Sequence, residues 1–432
     1  MRIVVSVLAA FAVAGGFAAG DGAAASVDSA NGSSASPTPS LGGAALGSSC
    51  LEYAPTCYAP QAFLTAYGIE PLLARGIDGR GQTVVIPEQA NAPTAKGSDI
   101  RQDLAEFDAL NQLPAADLQV DSTLAPGAAP YLAGFEEVED LEIFHAVAPE
   151  AAIVVVPIPQ SDLADPASAV QAIVSYLQIA VSRGDIASIS ASMGEHFATP
   201  AEEAQLHAAL QAAQAHHVTV VAASGDTGAA SDPNFDSAPV KEVSLPASDP
   251  LVLSAGGTSL ALDPATGAYS GEIAMSDSGG GFSHLFARPG YQDGVAGIPD
   301  ARGVPDVAAD GDSETGMEVA VVDGATEYDL CSSSGTSAAA PLWAGVIALA
   351  DQYAGHRLGF VDPAVYRIGR SPAGRTAFHD ITVGDNSAVV VPSLISGYRA
   401  APGWDPVTGW GSPDAQVLVP LLAQDVRPAD AG

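Results

Sequence analysis

One short segment combines a serine with the small residues that a catalytic turn requires. Ser337 lies in the octet Ser-Gly-Thr-Ser-Ala-Ala-Ala-Pro over 334–341, and the apolar run Leu342–Tyr353 that follows it predicts a helix. A serine at a helix start lies beside free backbone N–H groups, which favour developing negative charge together with the helix dipole. The residues fit either a nucleophile or an ordinary helix-capping serine, and the full octet is more specific than a cap requires.

A nucleophilic serine needs a base, and the usual base is histidine. None of the eight histidines stands in a His-Gly-Thr type helix start. The acidic stretch over 136–142 offers another base, because Glu136 and Asp140 are i and i+4 on a predicted helix and share a face. Two neighbouring carboxylates beside apolar side chains hold one proton between them more readily than isolated ones. The alternative is a solvated acidic first turn, which the helix dipole also favours.

A further acid follows an apolar run. Val218–Ala223 predicts a buried strand, and Ser224-Gly225-Asp226 after it predicts a tight turn with Asp226 at its tip. Asp226 fits an ordinary turn aspartate. In an open α/β sheet, however, ligands bind at the ends of strands, so Asp226 is also a candidate site residue.

These candidates lie in a chain that alternates strand-like and helical segments. Such alternation predicts an α/β fold with a mostly parallel sheet covered by helices on both faces. The predicted strands are Gln82–Ile86, Ala152–Val156, Ile186–Ser190, Val218–Ala223 and Leu251–Ala255, and two of the predicted helices are Ala167–Ser182 and Ala201–Ala215.

Five motifs, taken together, are highly specific. They are Ser-Gly-Thr-Ser with Pro341, Ala-Gly-Gly-Thr-Ser over 255–259, Ser-Gly-Gly-Gly-Phe-Ser over 278–283, Gly-Val-Pro-Asp-Val-Ala-Ala over 303–309, and Gly-Trp-Asp-Pro-Val-Thr-Gly-Trp-Gly over 403–411. From about Tyr58 to Leu422 the chain resembles the sedolisin family of serine-carboxyl peptidases. The resemblance implies a three-layer, subtilisin-like fold and hydrolysis of peptide bonds through an acyl-enzyme.

The resemblance also implies a role for each catalytic position. Ser337 is expected as the nucleophile, Glu136 as its general base, Asp140 as the residue that orients Glu136, and Asp226 as the oxyanion donor. A carboxylate anion cannot donate a hydrogen bond, so Asp226 fills that role only while it is protonated. Glu88 is expected to extend this carboxyl relay from the second shell around it.

Two further sets of residues follow from the resemblance alone. The strand over 190–194 is expected to line the substrate cleft through Ser190, Ser192 and Gly194. A single structural calcium ion is expected on oxygen ligands, which suit a hard cation. Its expected ligands are Asp380, the carbonyl groups of Ile381, Ala401 and Gly403, and Asp405.

The chain departs from the family pattern at several places. Met193 stands where relatives usually have an aromatic residue whose indole can hydrogen-bond the acid at Glu88, and a thioether cannot donate. Ala401 replaces a glycine, and Glu137 and Glu139 add acids to the catalytic helix. Only a short linker precedes Cys50, where relatives usually carry a long prosegment. The alternative to an endopeptidase is therefore a catalytically impaired, sedolisin-like binding protein.

The amino-acid composition limits the classes of partner that the protein is expected to bind. Fifty acids against fifteen bases give a formal net charge of −35, which excludes phosphate-directed binding of nucleic acids and binding to anionic membranes. Because bases are few, little positive charge remains to repel itself once acid protonates the carboxylates, so the composition suits an acidic medium. Protein or peptide substrates and a monomeric state are expected.

The chain divides into four expected regions. Residues 1–25 have the layout of a secretory signal peptide, so a secreted, extracellular protein is expected. Residues 26–49 form a linker rich in Ser, Ala, Gly and Pro, residues 50–422 the peptidase domain, and residues 423–432 a polar tail. Cys50 and Cys57 flank a short loop and could pair in an oxidising compartment, a point that the sequence leaves open.

Overall fold

The computed structural model describes residues 57–90, 98–126, 132–133, 135–232, 239–263, 266–323, 327–390 and 393–426. The expected signal peptide, the linker and Cys50 lie outside these residues. Cys57 is buried and disulfide-bonded. In the described part of the chain, no helix combines the length and apolar character needed to cross a bilayer.

The helices are numbered in chain order. They are α1 Pro60–Ala66, α2 Glu70–Leu73, α3 Ile100–Asn111, α4 Phe135–Val147, α5 Pro166–Arg183, α6 Pro200–Ala215, α7 Gly335–Ala354, α8 Asp362–Arg370, α9 Gly374–Ala377 and α10 Ala415–Asp425. Short 3₁₀ helices cover Gln160–Leu163, Glu195–Phe197 and Gly290–Gln292.

The strands are numbered in the same way. The first ten are β1 Thr83–Ala90, β2 Ser98–Asp99, β3 Asp117–Val120, β4 Leu132–Ala133, β5 Ala152–Pro159, β6 Ile186–Ile189, β7 Met193–Gly194, β8 Thr219–Ala223, β9 Ser244–Leu245 and β10 Leu253–Leu262. The remaining ones are β11 Tyr269–Ala274, β12 Gly281–Ala287, β13 Ala301–Val304, β14 Val307–Asp310, β15 Glu318–Asp323, β16 Glu327–Ser332, β17 Phe378–His379, β18 Ala388–Val390, β19 Ser393–Ile395 and β20 Ser412–Pro413.

An eight-stranded sheet forms the centre of the described fold. Its strands run in the order β11-β10-β8-β6-β1-β5-β3, and β14 also pairs with β10. Strands β3, β5, β1, β6, β8, β10 and β14 pair in parallel, and β11 is antiparallel to β10. The carboxyl ends of β1, β6 and β8 therefore lie at one edge of the sheet, where ligands bind in folds of this kind.

Strand periodicity explains the two packed layers. Successive side chains of a strand point to opposite faces, and in β1 Val84 and Ile86 enter one core whereas Val85 enters the other. Helices α1, α3, α4, α7, α8 and α10 cover the first face, and α5 and α6 cover the second. Because both faces are covered, the central strands are apolar along their whole length rather than alternating.

The predicted fold class is confirmed: the protein has a mostly parallel sheet between helical layers. The five predicted strands correspond to β1, β5, β6, β8 and β10, and the predicted helices correspond to α5, α6 and α7, with shifted ends. Helix α10 reaches Asp425, so helical structure extends into the segment that was predicted as a polar tail.

Candidate active site

Helix α4 carries four acids inside the fold. Glu137, Glu139, Asp140 and Glu142 are all buried, the last three with no exposed surface, and Glu136 at the helix start is partly exposed. Acidic side chains are almost never fully buried unless they are paired. These four acids are therefore not a solvated turn, because they are buried and the helix packs against α7 and β1.

Ser337 and Glu136 meet where α4 and α7 come together. Ser337 is the third residue of α7 and is 4% exposed, and its hydroxyl group lies beside the carboxylate of Glu136, close enough to lower the pKa of that carboxyl as a hydrogen-bond donor. Burial and the nearby charge of Asp140 raise the pKa of Glu136 well above its ordinary value, and the bond from Ser337 opposes this increase. The pair has the nucleophile-to-base contact that acyl-transfer chemistry needs.

Asp140 connects this pair to the sheet. Its Oδ1 accepts a hydrogen bond of 2.7 Å from the hydroxyl of Ser190, which follows β6. A second bond joins Asp140 to Glu88 near the end of β1, and burial raises the pKa of both acids, that of Asp140 to about 7. Within the described residues, Oδ2 of Asp140 and Oε1 of Glu88 have no N–H or O–H donor other than each other. Two acids so placed share a proton, which the bond assigns to Glu88.

Asp226 lies on the other side of Ser337, in the turn after β8. Its Oδ1 accepts the N–H of Thr336 at 2.6 Å, and the hydroxyl of Thr336 accepts the N–H of Gly225 at 3.0 Å. Gly335 has φ +78°, and a β-carbon there would lie 3.0 Å from Oδ2 of Asp226, so this contact requires glycine. Burial raises the pKa of Asp226, and the bonds from Thr336 lower it in part.

Histidine is the usual base of a catalytic serine, but the described residues place no histidine at this site. Among the hydrogen bonds of the described residues, none joins Ser337 to a histidine. The imidazoles of His196 and His207 instead bond to Glu242 and Asp249, and that of His145 bonds to the carbonyl of Pro114 and lies 3.0 Å from Asp108. The base available to Ser337 is a carboxylate.

The residues that were predicted to line the substrate cleft lie in different environments. Ser190 bonds Asp140 and its backbone carbonyl lies 3.4 Å from Oγ of Ser337, so it belongs to the carboxyl network. Ser192 lies at the turn that carries Asp226, since a β-carbon at Gly225 would be 3.5 Å from its hydroxyl oxygen. Gly194, in β7, packs against the side chain of Glu242. Sequence reasoning placed Ser190 at the substrate and missed its bond to Asp140.

An apolar pocket lies beside the same strand. It is lined by Met193, by residues of α5 and α6, and by Leu245 and Pro246. Met193 therefore lines this pocket. Among the described residues, no N–H donor to Oε1 of Glu88 takes the place of the indole expected from the family pattern.

The loops of the expected calcium site also come together. Both carboxylate oxygens of Asp380 accept the N–H of Gly403, at 3.1 and 3.0 Å. The buried carboxylate of Asp405 accepts the N–H groups of Ala401, Val407 and Thr408, and its burial raises its pKa to about 6. No described N–H group bonds to the carbonyl oxygen of Ile381, Ala401 or Gly403. Two carboxylates and three free carbonyls are an oxygen set that fits a hard cation.

That site differs from a side-chain metal cluster. The described residues contain no group of three or more His, Cys, Asp or Glu side chains arranged to hold a metal ion. The expected calcium ligands include only two carboxylates, so carbonyl oxygens would have to complete the shell.

The glycine-rich motifs surround the catalytic turn. Ser278 accepts the N–H of Gly257 at 2.9 Å and donates to the carbonyl of Val407 at 3.2 Å, which joins three of the motifs. A β-carbon at Gly279 would lie 2.2 Å from the carbonyl oxygen of Ser224. These motifs let backbones approach closely behind Asp226, which explains why they need small residues.

The site combines a serine, a carboxylate base and a second buried acid at the carboxyl edge of a parallel sheet. This combination defines a serine-carboxyl site on a subtilisin-like fold. Residues 129–363 match the subtilase family of peptidases. The chain belongs to the subtilase family, and its expected resemblance to the sedolisins within that family is confirmed.

Individual relatives agree with this placement. The chain is 35% identical over 394 residues to kumamolisin of Bacillus sp. strain MN-32, covering 86% of this chain and 65% of that protein. It is 32% identical over 233 residues to tripeptidyl-peptidase 1 of Mus musculus, covering 49% of this chain and 38% of that protein. The structure of Pseudomonas sedolisin, a serine-carboxyl proteinase, aligns with a TM-score of 0.72 at 25% identity over 86% of this chain and 99% of that one. The chain thus spans about two thirds or less of these curated relatives.

Proposed function

We propose that the protein is a secreted serine-carboxyl endopeptidase that hydrolyses peptide bonds in acid. The observation that carries the proposal is the placement of the Ser337 hydroxyl beside Glu136, inside a buried carboxyl network that includes Asp140 and Asp226. The chain's similarity to kumamolisin, to tripeptidyl-peptidases and to sedolisin supports peptides as the substrate class. The alternative, an impaired binding protein, is less well supported because all four expected catalytic side chains are present and adjacent.

The proposed mechanism follows the contacts. Oγ of Ser337 attacks the carbonyl carbon of the scissile bond while its proton passes to the carboxylate of Glu136. The protonated Asp226 donates a hydrogen bond to the oxyanion that forms. The tetrahedral intermediate then collapses, the C–N bond breaks, and Glu136 returns the proton to the leaving amine. Water attacks the acyl ester, again giving a proton to Glu136, and the acid product leaves as Ser337 regains its hydrogen.

The remaining acids hold the base in its working state. Asp140 orients Glu136 and is itself fixed by Ser190 and Glu88. Because Glu88 carries the shared proton, it donates a hydrogen bond to Asp140 and adds no negative charge of its own beside it. The apolar pocket beside Met193 gives the cleft a place for an apolar substrate side chain.

We expect the pH profile of activity to be bell-shaped with both limbs on the acid side. Activity falls as the pH drops because Glu136, whose pKa is raised by burial, must lose a proton to act as a base, and it falls toward neutral pH because Asp226 must keep one. Burial raises the pKa of Asp226, so its proton persists above the ordinary carboxyl range before it is lost. A histidine-based site would instead gain activity through a pKa of ~6.5. The measurement is kcat/KM against a peptide between about pH 2 and 8.

The substitution Asp226→Asn tests whether loss of the Asp226 proton causes the alkaline limb of the pH profile. An amide donates a hydrogen bond at every pH, so the alkaline limb should move to higher pH while the peak rate falls by about tenfold or less. Asp226→Ala removes the donor and should lower kcat by about 10²–10³-fold at all pH values. Unfolding is monitored in parallel by circular dichroism. An unchanged profile in Asp226→Asn would exclude a protonated Asp226 as the oxyanion donor.

We also propose a structural calcium ion held by Asp380, Asp405 and the carbonyl oxygens of Ile381, Ala401 and Gly403. The support is the free oxygen set and the buried carboxylate of Asp405, whose cost of burial a cation would offset. Such an ion would hold two loops behind Asp226 and would take no part in the chemistry.

Chelation should lower the midpoint of thermal unfolding. An ion that binds only the folded state stabilises it by about 2.7 kcal/mol when its concentration is 100 times Kd. Added Ca²⁺ should restore the midpoint in the wild type but not in Asp380→Asn, which keeps the side-chain shape and loses the charge. Asp380 is a better target than Asp405, because four N–H and O–H bonds to Asp405 hold its loop without any ion. A midpoint that ignores both chelator and Ca²⁺ would contradict the proposal.

A further inference from the structure

The backbone that leads to Ser337 is held at three consecutive amides. The N–H of Ser334 bonds Oε1 of Glu139 at 2.8 Å, and the N–H of Gly335 bonds the carbonyl of Gly311 at 2.7 Å. The N–H of Thr336 bonds Asp226 at 2.6 Å. The three acceptors come from α4, from the loop after β14 and from the turn after β8. The position of the nucleophile is thus set by three separate elements.

Glu139 differs from the other two acceptors because it shares a helix with the base. It is i+3 from Glu136, so both side chains lie on the same face of α4. Ser334 is the residue that caps α7, is extended at φ −155° and ψ 162°, and forms no capping bond with its own side chain. Glu139 therefore joins the start of the nucleophile helix directly to the helix that carries Glu136.

The environment of Glu139 fits a neutral acid. The side chain has no exposed surface, and its Oε2 has no hydrogen-bond partner among the described residues. Burial, together with the charges of Glu136, Asp140 and Asp226, raises its pKa well above the ordinary value, and the bond from Ser334 opposes this. An uncharged Glu139 accepts the amide without adding a further negative charge beside Glu136.

We propose that Glu139 is a positioning residue for the reaction: by holding the Ser334 amide from α4, it fixes the separation between Ser337 and Glu136. The inference rests on the proposed peptidase function. Small displacements of a nucleophile from its base reduce the chemical step far more than substrate binding. The sequence offers Glu139 no role beyond crowding the helix, and its contact with Ser334 appears only in the fold.

Three substitutions of Glu139 separate positioning from general stability. Glu139→Gln keeps an oxygen acceptor of the same length without charge, so kcat at the acid optimum should stay within about threefold of wild type. Glu139→Leu removes the acceptor, and Glu139→Asp keeps a carboxyl group that is too short to reach Ser334. Both should lower kcat by about 10–100-fold with KM changed by less than about threefold.

Glu142→Leu is the matched control. Glu142 is equally buried on the same helix and accepts the N–H of Ala320 at 2.7 Å, away from the catalytic turn. Glu142→Leu should lower the midpoint of thermal unfolding at least as much as Glu139→Leu does. The kcat of Glu142→Leu should stay close to that of the wild type. If Glu139→Leu does not fold, the comparison of Glu139→Asp with Glu139→Gln decides the question.

Amide hydrogen exchange gives a readout that does not depend on turnover. Exchange across 334–337 should accelerate in Glu139→Asp and Glu139→Leu and stay slow in Glu139→Gln and Glu142→Leu. Equal kcat in the Asp, Leu and Gln variants would overturn the positioning role, as would a loss in Glu142→Leu of the same size. A wild-type protein without Ser337-dependent turnover would refute the peptidase function and this role with it, whereas altered exchange would still report the Glu139–Ser334 bond.

Discussion

Ser337→Ala should lower kcat for peptide hydrolysis by a factor of about 10⁴ or more at the acid optimum, because the proposed acyl-enzyme forms on the hydroxyl group that this substitution removes. The fold should survive. Ser337 is 4% exposed and lies inside α7, where alanine is a better helix former than serine, and alanine leaves no polar group in need of a partner. The removed hydroxyl bonds Glu136, and that carboxyl group can take up a proton instead.

The experiment pairs kinetics with covalent labelling. A fluorophosphonate should add one adduct to the wild type, detected as a mass shift on the peptide that contains Ser337, and none to Ser337→Ala. Ser175→Ala is the control, since that hydroxyl lies on α5 and bonds the carbonyl of Gln171 on its own helix at 2.8 Å. Turnover by Ser337→Ala within tenfold of the wild type would refute the acyl-enzyme mechanism.

The sequence alone predicted the parts of the site that depend on short-range patterns. The i, i+4 spacing of Glu136 and Asp140 placed both on one helix face, and the turn after a buried strand placed Asp226 at the sheet edge. Helix periodicity and strand ends are local properties, so these expectations required no knowledge of tertiary contacts. The predicted layers of the fold followed from the same alternation and are confirmed.

Local sequence patterns could not predict the contacts between segments that are distant in the chain. Ser190 was expected to line the substrate cleft, and its bond to Asp140, which is 50 residues away in the chain, was not predicted. Glu139 bonds Ser334 across 195 residues, and an exposed acid at that helix position would have looked the same in the sequence.

Glu136→Gln is the second substitution with a large expected effect. The amide oxygen of Gln can still accept the hydrogen bond of the Ser337 hydroxyl, so the geometry of the nucleophile should persist. The amide cannot take the proton that leaves during attack, so kcat should fall by about 10³–10⁴-fold. The measurement is kcat at several pH values, with folding checked by circular dichroism at each one.

The pH dependence separates this loss from a distorted site. The acid limb of the wild type reports the protons that the carboxyl network must lose before Glu136 can act, and Gln at 136 has none to lose. The residual activity of Glu136→Gln should therefore lack that limb, and no increase in pH should restore the rate. Glu142→Gln, six residues further along α4 and bonded to Ala320, should keep both the rate and the limb. If Glu136→Gln retained the wild-type acid limb at a tenth of the rate or more, another group would be the base, and Asp140, whose buried carboxyl has a pKa of about 7, would be the next candidate.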